Sequence, residues 1–83
     1  MLKAHFLSVL AMKYYFYLSL SVKEFMPYYE GKASSIVVLS DQGERVQFPA
    51  MHLRKFLASN GVYGRFCLET QNNKFLSLKK INM

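Results

Sequence analysis

Residues 34–48 constrain the fold most strongly, because they contain two strand-like runs separated by a short turn. The first run is a block of aliphatic residues that ends at Leu39. The second alternates between polar and apolar residues up to Phe48. Between them, Asp41 is expected to close an Asx turn with its side chain, and Gly43 is expected to take a positive φ angle. β-Branched residues favour the pleated backbone on either side. The segment predicts a β-hairpin and hence a sheet domain, without indicating a reaction.

The length of the chain limits it to one small domain. The chain has 83 residues, 52% of them hydrophobic, and its seven Phe and six Tyr supply apolar area for a core. Cys67 is the only cysteine, so no internal disulfide is available, and one cysteine with two histidines does not complete a zinc site. We therefore predict no metal and no cofactor. Apolar packing or self-association must stabilise the fold.

The first eleven residues differ from the rest of the chain. Their apolar run is interrupted by His5 and is followed by Lys13, which makes a poor secretory signal and too short a stretch for a membrane span. Met12 offers a simpler start for the domain. We therefore predict a non-native or frayed extension (1–11) and a single α+β domain (12–83). Without an export signal or a disulfide, a cytoplasmic location is the default expectation.

The first half of the domain predicts a strand followed by a short helix. Residues 14–21 alternate between apolar and polar side chains, as a half-buried strand does. Ser21 and Glu24 have the spacing of a capping box at a helix start. Pro27 falls in the second turn of that helix, so we expect a kinked or two-part helix that ends before Gly31.

The second half predicts another helix and two strands. Pro49 has no backbone donor and ends the third strand. Leu53 and its apolar neighbours then recur at helical spacing, and alternation returns at residues 62–70. The last strand is predicted to place Leu76 and Leu78 on one face and Phe75 on the other.

The predicted elements follow the order β-α-β-β-α-β-β. This order indicates an α+β protein with a mostly antiparallel five-stranded sheet and two short helices, similar to the ferredoxin-like order with one added strand. The helices are short for covering a full sheet, so a small partial barrel is the alternative.

Four stretches of sequence, spread over the whole domain, carry a family resemblance: MKYYFYLSL (12–20), QFPAMHLR (47–54), GRFCLE (64–69) and KFLSL (74–78). They resemble a bacterial family of small stand-alone proteins, domain-of-unknown-function family 2835. The resemblance runs from Met12 to the C-terminus, which supports Met12 as the start. It implies a compact stand-alone protein and transfers no catalytic residue.

We predict that the protein is not an enzyme, because no catalytic motif is recognisable. His52 is the only histidine of the predicted domain, and no sequence signal supplies it with a nucleophile or an orienting acid. Asp41 is the only aspartate and is assigned to the turn. Cys67 shares a strand face with Arg65, which is one setting for a reactive thiol, but a packed cysteine is the commoner case.

The net charge of +6 is compatible with a polyanionic partner and equally with a solvated surface. Aromatic and basic residues on neighbouring strands suit single-stranded RNA, because rings stack on bases and cations neutralise phosphates. The candidate nucleic-acid-binding residues on such a sheet face are Tyr15, Tyr17, Arg45, Gln47, Arg65 and Lys79.

The default prediction is nevertheless a small protein-interaction or self-associating domain. The seven Phe and six Tyr exceed what two short helices are expected to cover, which leaves an apolar patch for another protein or a second copy. Binding of RNA or another polyanion is the alternative. In the default case Tyr15 and Tyr17 cover the sheet beneath a helix or within a dimer.

Overall fold

A computed structural model describes residues 10–81, and the protein has five strands and two helical segments in that range. In chain order they are β1 (Ala11–Leu20), α1 (Val22–Tyr29), β2 (Ser35–Leu39), β3 (Arg45–Pro49), a 3₁₀ helix (Ala50–Phe56), β4 (Val62–Gln71) and β5 (Lys74–Ile81). The predicted α+β class and element order are confirmed. Most of the predicted N-terminal extension lies outside the described residues.

The strands divide between two antiparallel sheets rather than forming one. β4 lies between β1 and β5 in the first sheet, and β2 pairs only with β3 in the second. The hairpin strands are short and have one apolar face, which packs across the core instead of extending the ladder of β1. Phe16 of β1 and Phe48 of β3 meet there, with ring centroids 5.8 Å apart.

The core lies between the inner faces of the two sheets and the helical segments. Phe66 stacks on Phe16 at a centroid distance of 5.9 Å, and Phe56 meets Phe66 edge-on at 5.1 Å. Phe25 of α1 and Leu53 of the 3₁₀ helix are fully buried beside them. This arrangement covers one face of the three-stranded sheet and leaves the opposite face open.

β1 alternates as predicted but begins earlier. Phe16 and Leu18 point into the core, while Tyr15 and Tyr17 point outward. The strand begins at Ala11 because β4 is long enough to pair with it down to Gln71.

The predicted capping box is present at the start of α1. The Ser21 hydroxyl accepts a hydrogen bond from the Glu24 N–H (3.1 Å), and the Glu24 carboxylate accepts one from the Ser21 N–H (2.8 Å). The pKa of Glu24 is lowered mainly by the hydrogen bond that its carboxylate accepts from the Ser21 backbone N–H, and further by the Ser21 hydroxyl. Pro27 lies inside a single eight-residue helix. The helix is therefore not divided in two, since proline removes only one hydrogen bond from so short an element.

The second helix is a 3₁₀ helix, and its sequence explains why. Ala50, Leu53 and Phe56 recur every third residue, which places them on one side of a helix with three residues per turn. Ala50 and Leu53 are buried, and Phe56 packs against the core. The predicted helical face is thus present in a tighter geometry.

The hairpin turn has the predicted Gly43 at positive φ (87°), but Asp41 does not close it. The Ser40 hydroxyl accepts hydrogen bonds from the N–H groups of Gln42 (3.3 Å) and Glu44 (3.1 Å). Ser40 is buried at the turn, so its hydroxyl is the acceptor at hand. The predicted Asx turn is therefore wrong, and the Asp41 carboxylate is available elsewhere.

A β-bulge changes the faces of β5. Thr70 pairs with Phe75 and Glu69 pairs with Ser77, so Leu76 is an extra residue on β5. One extra residue reverses the alternation on one side of the bulge. Phe75 therefore packs against the core and Leu76 is 54% exposed, opposite to the predicted face assignment.

Candidate functional site

Four of the six predicted binding residues lie together on the open face of the three-stranded sheet. Tyr15 is paired with Cys67 and Cys67 with Lys79, while Tyr17 is paired with Arg65. We call these five residues the tyrosine face. Tyr15 is 40% exposed and Tyr17 is 59% exposed, so no helix covers them. Cys67 is buried between its neighbours, which agrees with the expectation of a packed cysteine.

The other two predicted residues lie on a different surface. Arg45 and Gln47 project from the outer side of the β2–β3 sheet, where the Gln47 amide donates a hydrogen bond to the Ser35 hydroxyl (2.9 Å). Strand alternation predicted correctly that both face outward. It carried no information on which sheet β3 would join, so the predicted six-residue face is divided.

Arg65 is paired with Asp41, so an anionic ligand would compete with this carboxylate for it. Its two terminal nitrogens donate to the two carboxylate oxygens of Asp41 at 3.1 and 2.5 Å. The hydrogen bonds from Arg65, together with its positive charge, lower the pKa of Asp41, and the same pairing raises the pKa of Arg65. The Asp41 N–H also donates to the Tyr15 carbonyl (2.8 Å). The hairpin turn thereby closes the outer edge of β1.

This pairing predicts a pH-dependent contribution to stability. The pKa of Asp41 is lower in the folded than in the unfolded chain, so its contribution to stability is complete above about pH 5 and is lost as pH falls through the lowered pKa. Asp41→Asn should therefore have a lower melting temperature than the wild type at neutral pH, with a gap that closes in acid. Thermal melts of both proteins across this range measure it. A gap that is unchanged in acid would contradict the role assigned to the carboxylate.

The opposite edge of the same sheet is open and borders a groove. Among the described residues, no strand pairs with the outer side of β5. A groove of about 530 Å³ runs along it, which we call the β5 groove. Its walls are Met51, His52, Arg54 and Lys55 of the 3₁₀ helix and residues 75–79 of β5.

Stacking of His52 on Phe75 joins the two walls of the β5 groove. The rings lie nearly parallel, with centroids 3.6 Å apart and an angle of 6°. Phe75 can reach His52 because the bulge turns it toward the helix side of the sheet. The sequence supplied no partner for His52, since nothing in local spacing indicates a residue on another element.

The helix wall of the β5 groove is basic. Arg54 donates to the Tyr29 carbonyl of α1 (2.7 Å), and its guanidinium lies over the Tyr29 ring, 5.2 Å from the centroid. The Lys55 ammonium lies 5.3 Å from the centre of the Phe56 ring. With Lys79 on the β5 side, the lining has three cations and no carboxylate in the part of the chain described.

The backbone groups at the open edge follow from the pairing. The Tyr15 carbonyl points away from β4, toward the hairpin turn, so Tyr15 and Cys67 form a non-hydrogen-bonded pair. The backbone of Cys67 then faces Lys79 of β5. By the same alternation, Leu78 and Lys80 direct their N–H and C=O groups to the open edge.

Within residues 10–81, no three His, Cys, Asp or Glu side chains lie close enough to hold a metal ion together. None of the helices in that range has the length and apolar character needed to cross a bilayer.

A family model covers almost the whole chain. The model, described as a protein of unknown function (DUF2835), matches residues 12–81. The chain belongs to the DUF2835 family. This confirms the resemblance inferred from the four sequence stretches. No curated protein and no solved structure matches the DUF2835 chain, so its candidate site is defined by its own geometry.

Proposed function

We propose that this DUF2835 chain is a protein-interaction domain that receives an extended segment of another protein along the open edge of β5. The observation that carries the proposal is the open strand edge beside the β5 groove. In strand addition, the open edge and the groove have different roles. Backbone hydrogen bonds hold the added segment, and a neighbouring groove accepts its alternate side chains.

The two edges of the three-stranded sheet are treated differently by the fold. The edge of β1 is closed by the hairpin turn, through the backbone bond to Tyr15 and the Arg65–Asp41 pair. The edge of β5 presents the backbone groups of Leu78 and Lys80, which an added strand would satisfy as two hydrogen-bonded pairs. An exposed edge of this kind is a template for strand pairing.

The charges on β5 favour a foreign partner over a second copy. Lys74, Lys79 and Lys80 are exposed on this strand. Lysine on an edge strand discourages pairing between identical chains, since like charges of both copies would meet. A segment of different charge does not meet this repulsion.

Single-stranded RNA binding on the tyrosine face is the second candidate. Two exposed tyrosines in adjacent outward positions favour it, because rings of this kind stack on bases. The cations of that face support it less, since Arg65 is engaged by Asp41. We propose no catalysis in either case. We propose a cytoplasmic location in both cases, because the single cysteine leaves no internal disulfide that an oxidising compartment would favour.

A proline substitution tests the proposal directly. Linear peptides selected from a random library against the wild-type protein should bind Lys80→Pro about tenfold more weakly or not at all. The substitution removes one edge N–H, worth about 1 kcal/mol, and places a ring in the path of the added strand. Lys80→Ala is the matched control, because it removes the same side chain and keeps the N–H. Fluorescence anisotropy of labelled peptides measures both.

A second measurement does not depend on the folding of the proline variant. In the wild-type protein, a bound peptide should slow amide hydrogen exchange at Leu78 and Lys80. Failure to select any binder, or protection elsewhere with these amides unchanged, would overturn the proposal. Salt-sensitive binding of labelled oligouridine that Tyr17→Ala weakens, without any peptide binding, would favour the RNA candidate instead.

A further inference from the structure

We infer that the β5 groove selects an acidic extended segment in which apolar and carboxylate side chains alternate. The inference rests on the proposed function and adds the chemistry of the partner. The charges that line the groove, and the two directions in which an added strand would point its side chains, define that chemistry.

An added strand would point alternate side chains to opposite faces of the sheet. On the helix side, they meet the stacked rings of His52 and Phe75 and the exposed side chain of Met51. Apolar side chains fit this surface, because burying them removes apolar area from water. On the other side of the sheet, the neighbouring residue of β5 is Lys79, which shares the open face with Cys67.

The charges around the groove favour carboxylates at the positions of the added segment that point away from the helix side. Lys79 faces the side of the sheet to which these carboxylates would point, and Lys55, on the helix wall, adds positive charge along the same groove at a longer distance. No carboxylate lines the groove among the described residues, so no internal acid competes with a bound one. Arg54 is held in place by the Tyr29 carbonyl and keeps its positive charge at the rim. The net charge of +6 also attracts an acidic partner at long range.

Two peptides of the same length and shape but different charge test the inference. The probes are a short labelled peptide of alternating valine and glutamate and its analogue with glutamine in place of glutamate. At low salt the glutamate peptide should bind the wild-type protein about three- to tenfold more tightly, as a few exposed charge pairs allow. The preference should shrink as salt is raised, because salt screens exposed charges.

Charge-reversal variants locate the effect. Lys79→Glu should remove or invert the preference for the glutamate peptide, and Lys55→Glu should reduce it, because Lys55 lies on the helix wall. Lys23→Glu is the matched control, since it changes the net charge equally on an exposed position of α1 outside the groove. An equal loss in all three variants would show that only the overall charge matters and would overturn the inference.

The outcomes separate this inference from the proposed function. If both peptides bind equally and protect the Leu78 amide, the interaction domain stands and the acidic preference is wrong. If neither binds while library peptides do, the preference is again wrong. If neither binds and no library peptide is recovered, both are wrong. A dimer in sedimentation velocity that Lys80→Pro abolishes would assign the edge to a second copy and overturn the inference.

Discussion

Gly61→Ala is expected to unfold the domain. Gly61 lies between the 3₁₀ helix and β4 with φ at 124°, a conformation that side chains rarely adopt. A Cβ atom there would lie 2.1 Å from the Leu20 carbonyl oxygen and 2.9 Å from backbone atoms of Ser21. These are backbone atoms at the end of β1 and at the cap of α1, so relief requires a shift of both elements. We expect the free energy of unfolding to fall by more than about 4 kcal/mol, which is close to the whole stability of a marginally stable small domain.

Circular dichroism during thermal denaturation measures this effect, and Gly43→Ala is the matched control. Gly43 also has a positive φ, 87°, but a Cβ there meets nothing within 4 Å. Its substitution should lower the free energy of unfolding by only about 1–2 kcal/mol, the cost of a left-handed backbone for a residue with a Cβ atom. A Gly61→Ala protein that melts within a few degrees of Gly43→Ala would show that β1, α1 and β4 do not meet as described.

Leu53→Ala is expected to have the second-largest effect and to lower the free energy of unfolding by about 2–5 kcal/mol. The Leu53 side chain is 0% exposed and belongs to the core under the 3₁₀ helix. Truncation removes apolar contacts and leaves a cavity that neighbouring aromatic rings cannot fill without moving. In a chain of this length the melting temperature should fall by more than about 8 °C. Thermal or urea denaturation at neutral pH gives the value.

Met51→Ala is the control for Leu53→Ala, because the two residues lie two positions apart on the same helix. Met51 is 65% exposed, so its truncation should change stability by no more than about 0.5 kcal/mol. Equal effects of the two substitutions would mean that the 3₁₀ helix does not pack through the face assigned to it. The pair therefore tests the wall of the β5 groove as well as the core.

Several features were predictable because their causes are local. The capping box at Ser21 and the positive φ at Gly43 depend on residues within one turn of the chain. The outward direction of Tyr15 and Tyr17 follows from period-two alternation in β1. Each of these needs only neighbours in sequence, and each was confirmed.

The candidate site was mostly beyond such reasoning. The outward positions of Arg45 and Arg65 were predicted, but the sheets they joined and the Asp41 partner of Arg65 were not. The bulge that exposes Leu76 and brings Phe75 to His52 depends on how β4 and β5 align. These contacts join residues far apart in the chain, and no spacing rule connects them.

Sequence patterns were sufficient for the type and order of the elements, the faces of β1 and β4, and family membership. Hydrogen bonding within a turn and the apolar period along a strand act over a few residues, so local sequence is sufficient. Long-range packing, in contrast, fixes the separate sheet of the hairpin, the closure of the β1 edge by Asp41 and the open edge of β5 among residues 10–81. Those outcomes depend on which arrangement buries Phe16, Phe48 and Phe66 together, a property of the whole packed core.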